Sequence, residues 1–380
     1  MRKGNVLSDP DDTSGSLVRD TAVFDMAGRI FADLADPQTL NAAPDTAWKA
    51  PLWAALEDAG LTLAWVSEAN GGAGATMLDG FDILRVAGQY AAPVALAETL
   101  LAGRFLDAAG IRCPAGPLTV APLRLGDQFA CARDGSISGT ARAVPHMRDA
   151  LAVVVIAERE AKDDELGADA QEGQVVALMA PGAFTLTERA TDMGGERTNV
   201  RLDHVFPVEL AEAPAQWHAD TAMLIGAAVR AVQMTGALET VLDLSVRYAT
   251  ERIAFGRPIA KFQAVQHNLA RLAGEVAAAL AASGSAAETL HSATEFGPSV
   301  LLEIAAAKIR TGEAVGQGAA IAHQVHGAIG WTSEHILQRY TRRMWGWRDD
   351  FGAESHWAVM LGDMAAEAGA DALWPMLAAR

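Results

Sequence analysis

The chain has two cysteines in 380 residues, Cys113 and Cys131. Two are too few for a disulfide framework or a cysteine-rich metal site, so no metal is expected and a reducing, cytoplasmic setting is. Positive charge is also short. Thirty Lys and Arg stand against 47 Asp and Glu, for a net charge of −17. A field of that sign repels nucleic acid and anionic membrane surfaces and argues against both as main partners. It leaves room for a local basic pocket around a phosphorylated ligand. Long apolar runs are missing too: Ala150–Ala157 and Val276–Ala282 fall far below the ~18 residues of a spanning helix. Met1–Ser16 has basic residues but no apolar segment behind them, which reads as a frayed terminus and not a signal peptide.

What remains is an ordinary globular composition, 51% hydrophobic and 20% charged, long enough for two or three cores. Residues 17–112 have helical periodicity, with runs at Trp48–Gly60, Met77–Tyr90 and Val94–Ala109 and a glycine-rich loop at Asn70–Gly74. Residues 113–214 change texture. Gln128–Val144 carries an Asp134-Gly135 turn between two short runs. Ala150–Ala157, Gln174–Ala180, Phe184–Arg189 and Asn199–Val205 are β-branched segments, and the acidic Glu158–Gly173 reads as an exposed loop. From 215 to 380 helix returns: Ala219–Glu251, Lys261–His291, Ser299–Val325, Thr332–Trp345 and Glu354–Ala379. The expected fold is mainly α with a central, shortened, barrel-like β domain between an N-terminal helical domain and a C-terminal four-helix bundle.

Three stretches carry chemistry. In Arg247–Gln266 a long helix ends, Phe255-Gly256 and Pro258 force a turn, and a new helix opens, which gathers Arg252, Phe255 and Gln263 at one corner. An arginine there can clamp a diphosphate through paired N–H donors, and the ring offers a stacking surface. The plainer alternative is a surface ion pair beside a core phenylalanine. In His323–Trp331 an alanine-rich helix runs into Gly327 and Gly330, with Gln324 offering a donor and an acceptor. His323 and His326 stand one turn apart and can face a metal with His335 as a third donor, although packed histidines are the plainer reading. Arg339–Trp347 mixes charge with two tryptophans, the look of an interface or a pocket wall in which Arg342 and Arg343 pair with nearby acids.

With these in view the chain resembles the acyl-CoA dehydrogenase family of flavoproteins. Tyr248–Gln263 is similar to the family segment Y-x-x-E-R-x-x-F-G-x-x-x-x-x-x-Q with every spacing kept, and Gln324–Gly330 to its glutamine–glycine FAD loop, Ala328 replacing a usual second glycine. The resemblance implies an FAD cofactor contacted by Arg252, Phe255, Gln263, Gln324, Gly327 and Gly330, partly across a subunit interface. It also implies an acyl-CoA substrate and electron-transferring flavoprotein as acceptor. Asn70–Gly74 matches the family's Tyr-Gly-Gly loop more weakly.

The departures are as specific. The Thr-Glu-Pro and Gly-Ser-Asp segments by which the family contacts the flavin ring and acyl-CoA are missing between Cys113 and Val155. The usual catalytic glutamate position holds Phe351, and the alternative position in the first bundle helix holds Gly226, with Ala227 in place of a common arginine. Loss of a base costs ~10²–10⁴-fold in rate. Asp350, next to the usual position, is therefore the candidate relocated base, against the alternative of an acidic surface pair or a salt bridge to Arg342 or Arg348. The favoured expectation is a hetero-oligomer of the shortened bacterial α2β2 type, whose second acyl-CoA dehydrogenase-like subunit supplies the base. A homotetramer, a non-catalytic structural or regulatory subunit, and a flavin reaction on another substrate are the alternatives.

Overall fold

The computed structural model describes residues 21–160, 173–192, 195–215, 217 and 220–378. Five helices come first: α1 (Thr21–Leu34), α2 (Pro37–Ala42), α3 (Lys49–Asp58), α4 (Met77–Tyr90) and α5 (Leu96–Ala108). The start of α4 is set by a capping box in which the Thr76 hydroxyl accepts from the Asp79 N–H and the Asp79 carboxylate accepts from the Thr76 N–H. On α3, Leu52 and Leu56 lie one turn apart and are fully buried.

Strands β1 (Leu118–Ala121), β2 (Gln128–Cys131), β3 (Ile137–Pro145), β4 (Ala152–Arg159), β5 (Gln174–Met179), β6 (Thr185–Asp192), β7 (Gly195–Val205) and β8 (Glu209–Glu212) form one sheet. Its order is β6-β7-β3-β2-β4-β5-β8, with β1 beside β4. β2 and β3 are the antiparallel pair joined across Asp134-Gly135, while β1 and β2 run parallel to β4. Ala152–Ala157 of β4 are buried at every position, so the strand is covered on both faces. Of the expected acidic loop, residues 161–172 lie outside the described residues.

The remaining chain is helical. α6 (Thr221–Glu251) leads through the two-residue strands β9 (Ile253–Ala254) and β10 (Arg257–Pro258) to α7 (Gln263–Ser292) and α8 (Pro298–His326). These three pack on one another, and α9 (Leu337–Asp349) closes against α6 and α8. α6 is long and apolar enough to cross a membrane by length and composition, but 89% of its apolar window is buried inside the protein. It is the core helix, crossing α4 where glycines let the backbones meet. A Cβ on Gly88 would lie 2.2 Å from the Gln233 carbonyl oxygen, and one on Gly236 would lie 2.0 Å from that of Arg85.

Two expected segments are corrected at the C-terminal end. Helix does not start at Thr332: Gly327–Trp331 is a 3₁₀ turn, and α9 begins at Leu337 and runs to Asp349. The expected Glu354–Ala379 run is two helices, α10 (Glu354–Ala368) and α11 (Ala370–Ala378), parted at Gly369, whose φ of 80° ends the first.

Candidate active site

One end of the bundle gathers the corner residues. α6 stops as Arg252 turns extended, and the Ile259 N–H donates to the Arg252 carbonyl at 2.8 Å, closing the turn through β9 and β10. At its tip Phe255 has φ 50° and is 95% exposed, its ring edge-on to Phe262 at 6.1 Å. Gln263 opens α7 on the same side and is exposed. Tyr248, one turn before Arg252, stacks on His326 at 4.5 Å, which brings Gln324 and Gly327 to this end. Arg252, Phe255, Gln263, Gln324 and Gly327 are all exposed, and the Arg252 guanidinium has no ion pair or hydrogen bond among the described residues. Gly330 differs. It is buried, with a Cβ there only 3.0 Å from the His326 side chain, so its lack of a side chain serves packing.

The three histidines are packed groups. His323 Nε2 meets the Thr341 hydroxyl at 3.0 Å and its ring lies on Trp331 at 3.8 Å. His326 Nδ1 donates to the Ala322 carbonyl at 2.8 Å, and its ring is 4.7 Å from that of His335. Burial pushes all three below the ordinary histidine value, which keeps them neutral at pH 7.

The two expected base positions meet in space. A Cβ on Gly226 would lie 2.3 Å from the Phe351 ring, so the aromatic fills the volume above the helix and Gly226 is what admits it. Phe351 is 1% exposed with φ 55°. Its N–H donates to the Leu123 carbonyl at 2.7 Å, and its own carbonyl accepts from the Trp357 indole at 3.0 Å. Buried Lys308 donates to the Arg348 and Gly352 carbonyls, each at 2.7 Å, and so ties both ends of this turn to α8.

Asp350 does not have the surroundings of a base. It is fully buried, and Arg197 grips both carboxylate oxygens at 2.7 and 2.9 Å. Arg230 Nε donates to it at 3.1 Å, and Arg124 lies 3.6 Å away. Arg230 also donates to Glu98 and to Gln233, each at 2.6 Å. Burial by itself would raise the Asp350 carboxyl, but Arg197 and Arg230 outweigh it and hold it below the ordinary range. Burial likewise opposes and Arg230 reverses the shift at Glu98. A carboxylate saturated by guanidinium donors has neither a free lone pair nor the basicity for proton abstraction. The expected surface pair is corrected as well. Asp350 pairs with Arg197 and Arg230 in place of Arg342 or Arg348, while Asp349 turns outward to Arg124 at 3.3 Å.

Beside this network lies a cavity of about 80 Å³, lined by Glu98, Pro145, His146, Arg197, Arg343 and Trp347 among others. Small-molecule pockets run to ~300–1,000 Å³. The space cannot enclose a flavin ring with a thioester stacked on it. The exposed Arg252 corner, without an ion pair among the described residues, offers donors and a stacking ring suited to a diphosphate and a purine, while this cavity has no room for the flavin ring.

Residues 218–348 match the family described as acyl-CoA dehydrogenase, C-terminal domain. The chain is 29% identical over 317 residues to the acyl-CoA dehydrogenase IpdE2 of Mycolicibacterium smegmatis, covering 82% of this chain and 88% of that one. It is 38% identical to IpdE2 of Mycobacterium tuberculosis over 128 residues, which span 34% of this chain and 36% of the relative's length. Among solved structures, the ChsE4–ChsE5 complex from Mycobacterium tuberculosis aligns with a TM-score of 0.76 at 22% identity, over 92% of this chain and 97% of that chain. A variant of the Tcur3481–Tcur3483 steroid ACAD aligns at 0.75 and 25% identity, over 91% and 97%. With the fold and the spacing of the Arg252 corner, these matches make residues 218–348 an acyl-CoA dehydrogenase C-terminal domain and the chain similar to acyl-CoA dehydrogenases over most of its length.

Proposed function

We propose that this chain is one subunit of an FAD-dependent acyl-CoA dehydrogenase whose second, different subunit supplies the catalytic base and the pocket for the flavin ring. The observation that carries the reading is the direct contact of Phe351 with Gly226, which fills both places where a base is expected with groups that cannot take a proton. The exposed corner supports the other half. Arg252 is positioned to bind a diphosphate, Phe255 to stack, and Gln263 and Gln324 to hydrogen-bond a cofactor held by the partner.

In such an assembly a bound flavin would supply the hydride acceptor for the β-carbon of the acyl group, and the partner's base would take the α-proton. This chain's contribution is to hold and orient the cofactor from across the interface. Electron-transferring flavoprotein as acceptor and an α2β2 stoichiometry belong to the same reading, and both rest on family resemblance. The ChsE4–ChsE5 neighbour is itself a complex of two named chains. A purely structural role has the closed interior in its favour, but gives no reason for the exposed Arg–Phe–Gln set.

The test is to purify the chain alone, and again with a co-expressed acyl-CoA dehydrogenase-like chain that carries a glutamate base, and to record visible spectra. Flavin bound only by the pair supports the proposal. Flavin retained and bleached by acyl-CoA in the lone chain would sink it.

A further inference from the structure

We propose that the cavity beside α9 is a binding site for a small oxyanion, the carboxylate or phosphate end of a ligand, with Arg343 as its principal donor. This does not depend on the subunit reading above. The first support is charge balance. At the rim Lys49 pairs with Asp149, and Arg148 with Glu196, each at 2.7 Å. Deeper, Arg197 is taken up by Asp350 and Arg230 by Glu98. Arg343 lines the cavity with no ion pair or hydrogen bond among the described residues. Arg339, one turn earlier on the same face of α9, also has none.

Arg343 is half-buried at the cavity, where desolvation brings its guanidinium down to about 9, Arg339 pushing the same way and the Glu98 carboxylate opposing. A half-buried guanidinium with no direct ion pair is partly desolvated, and an oxyanion on its planar fork relieves that cost through two parallel N–H···O bonds. The acid that shares the cavity is already spoken for. Glu98 receives Arg230 on one oxygen and faces His146 at 3.9 Å with the other.

Size and access give the second support. About 80 Å³ holds one carboxylate or phosphate group and little else, since a water takes ~30 Å³ of liquid. The rim side chains Lys49 and Arg148 are 31% and 56% exposed, so the mouth is open to solvent, each rim cation balanced by its carboxylate. His146, at φ 55°, holds a left-handed conformation at the cavity wall.

The experiment is thermal unfolding of the full chain at fixed ionic strength, with sodium acetate or sodium phosphate replacing chloride. A ligand of the native state raises Tm saturably. We expect such a rise for at least one of the two, acetate marking a planar carboxylate site and phosphate a tetrahedral one. Arg343→Lys should weaken the apparent affinity ~10-fold or more, because the fork is lost while the charge stays. Arg343→Met should abolish the rise without lowering the Tm in chloride, and Arg339→Lys should leave the affinity within about twofold. A flat response to both oxyanions in the wild type overturns the proposal, as does an Arg343→Lys response equal to the wild type's. Should the methionine variant fail to fold, the lysine variant alone decides.

Discussion

Two regions of this chain treat arginine in opposite ways. At the bundle corner Arg252 is exposed and unpartnered beside a 95% exposed phenylalanine. At the other site Arg197 and Arg230 are 3% and 1% exposed and locked onto Asp350 and Glu98. The first arrangement keeps donors available for something outside the chain. The second spends them internally, in a network whose members are costly to bury singly and stable only together. The lesson is that arginines within one fold serve opposite ends, exposed donors at one place and internal ties at another.

The largest effect should come from breaking the closed site. Asp350→Ala leaves Arg197 and Arg230 buried without their counter-ion and should cost ~3–5 kcal/mol, read from the urea midpoint. A loss below ~1 kcal/mol would mean that the network is solvated and the comparison overdrawn. Phe351→Ala should cost about as much, ~3–5 kcal/mol, through the cavity left above α6. Next, Gly226→Ala should cost ~1–3 kcal/mol by overpacking against the ring, and pairing it with Phe351→Leu should recover part of that loss.

Acid should act on the same region. Glu98 and Asp350 are held below their ordinary values in the folded state. Their contribution is thus complete above their unfolded values near ~4 and is lost as pH falls through the folded ones. Stability should therefore fall as pH drops below about 4, and more gently in Asp350→Asn, where one of the two groups no longer titrates. The smallest effect belongs to the open corner. Arg252→Ala should change stability by less than ~0.5 kcal/mol, because it makes no ion pair or hydrogen bond among the described residues.

Much of the fold was legible because its signals are local. α4 is found at Met77–Tyr90 by periodicity and started by the Thr76–Asp79 box, and the β2–β3 hairpin turns at Asp134-Gly135. The corner was legible for the same reason, since Arg252, Phe255 and Gln263 sit within one helix–turn–helix segment. The closed site was not. Asp350 meets Arg230 across 120 positions of sequence and Arg197 across 153, and no local pattern carries such a pairing.

One signal was available for half of it. Arg230 is the lone charge between Ile225 and Met234, Glu98 stands alone within Val94–Ala102, and Lys308 within Ile304–Ile309. A single charge in an otherwise apolar helix is going to be buried and must find a partner. Read that way, the three announce an internal polar network, though not its connections. The packing of Gly226 on Phe351 had no such announcement, because each was legible only as a missing carboxylate.

The central claim is that this chain lends contacts to a flavin it does not itself house. The most direct test is flavin content by absorbance at the visible flavin bands, for the chain alone and for the chain co-purified with a base-bearing acyl-CoA dehydrogenase-like partner, each with and without Arg252→Ala. The account predicts no flavin in the lone chain, flavin in the pair, and its loss from the pair when Arg252 is replaced. Stoichiometric flavin in the lone chain, indifferent to Arg252, would contradict it.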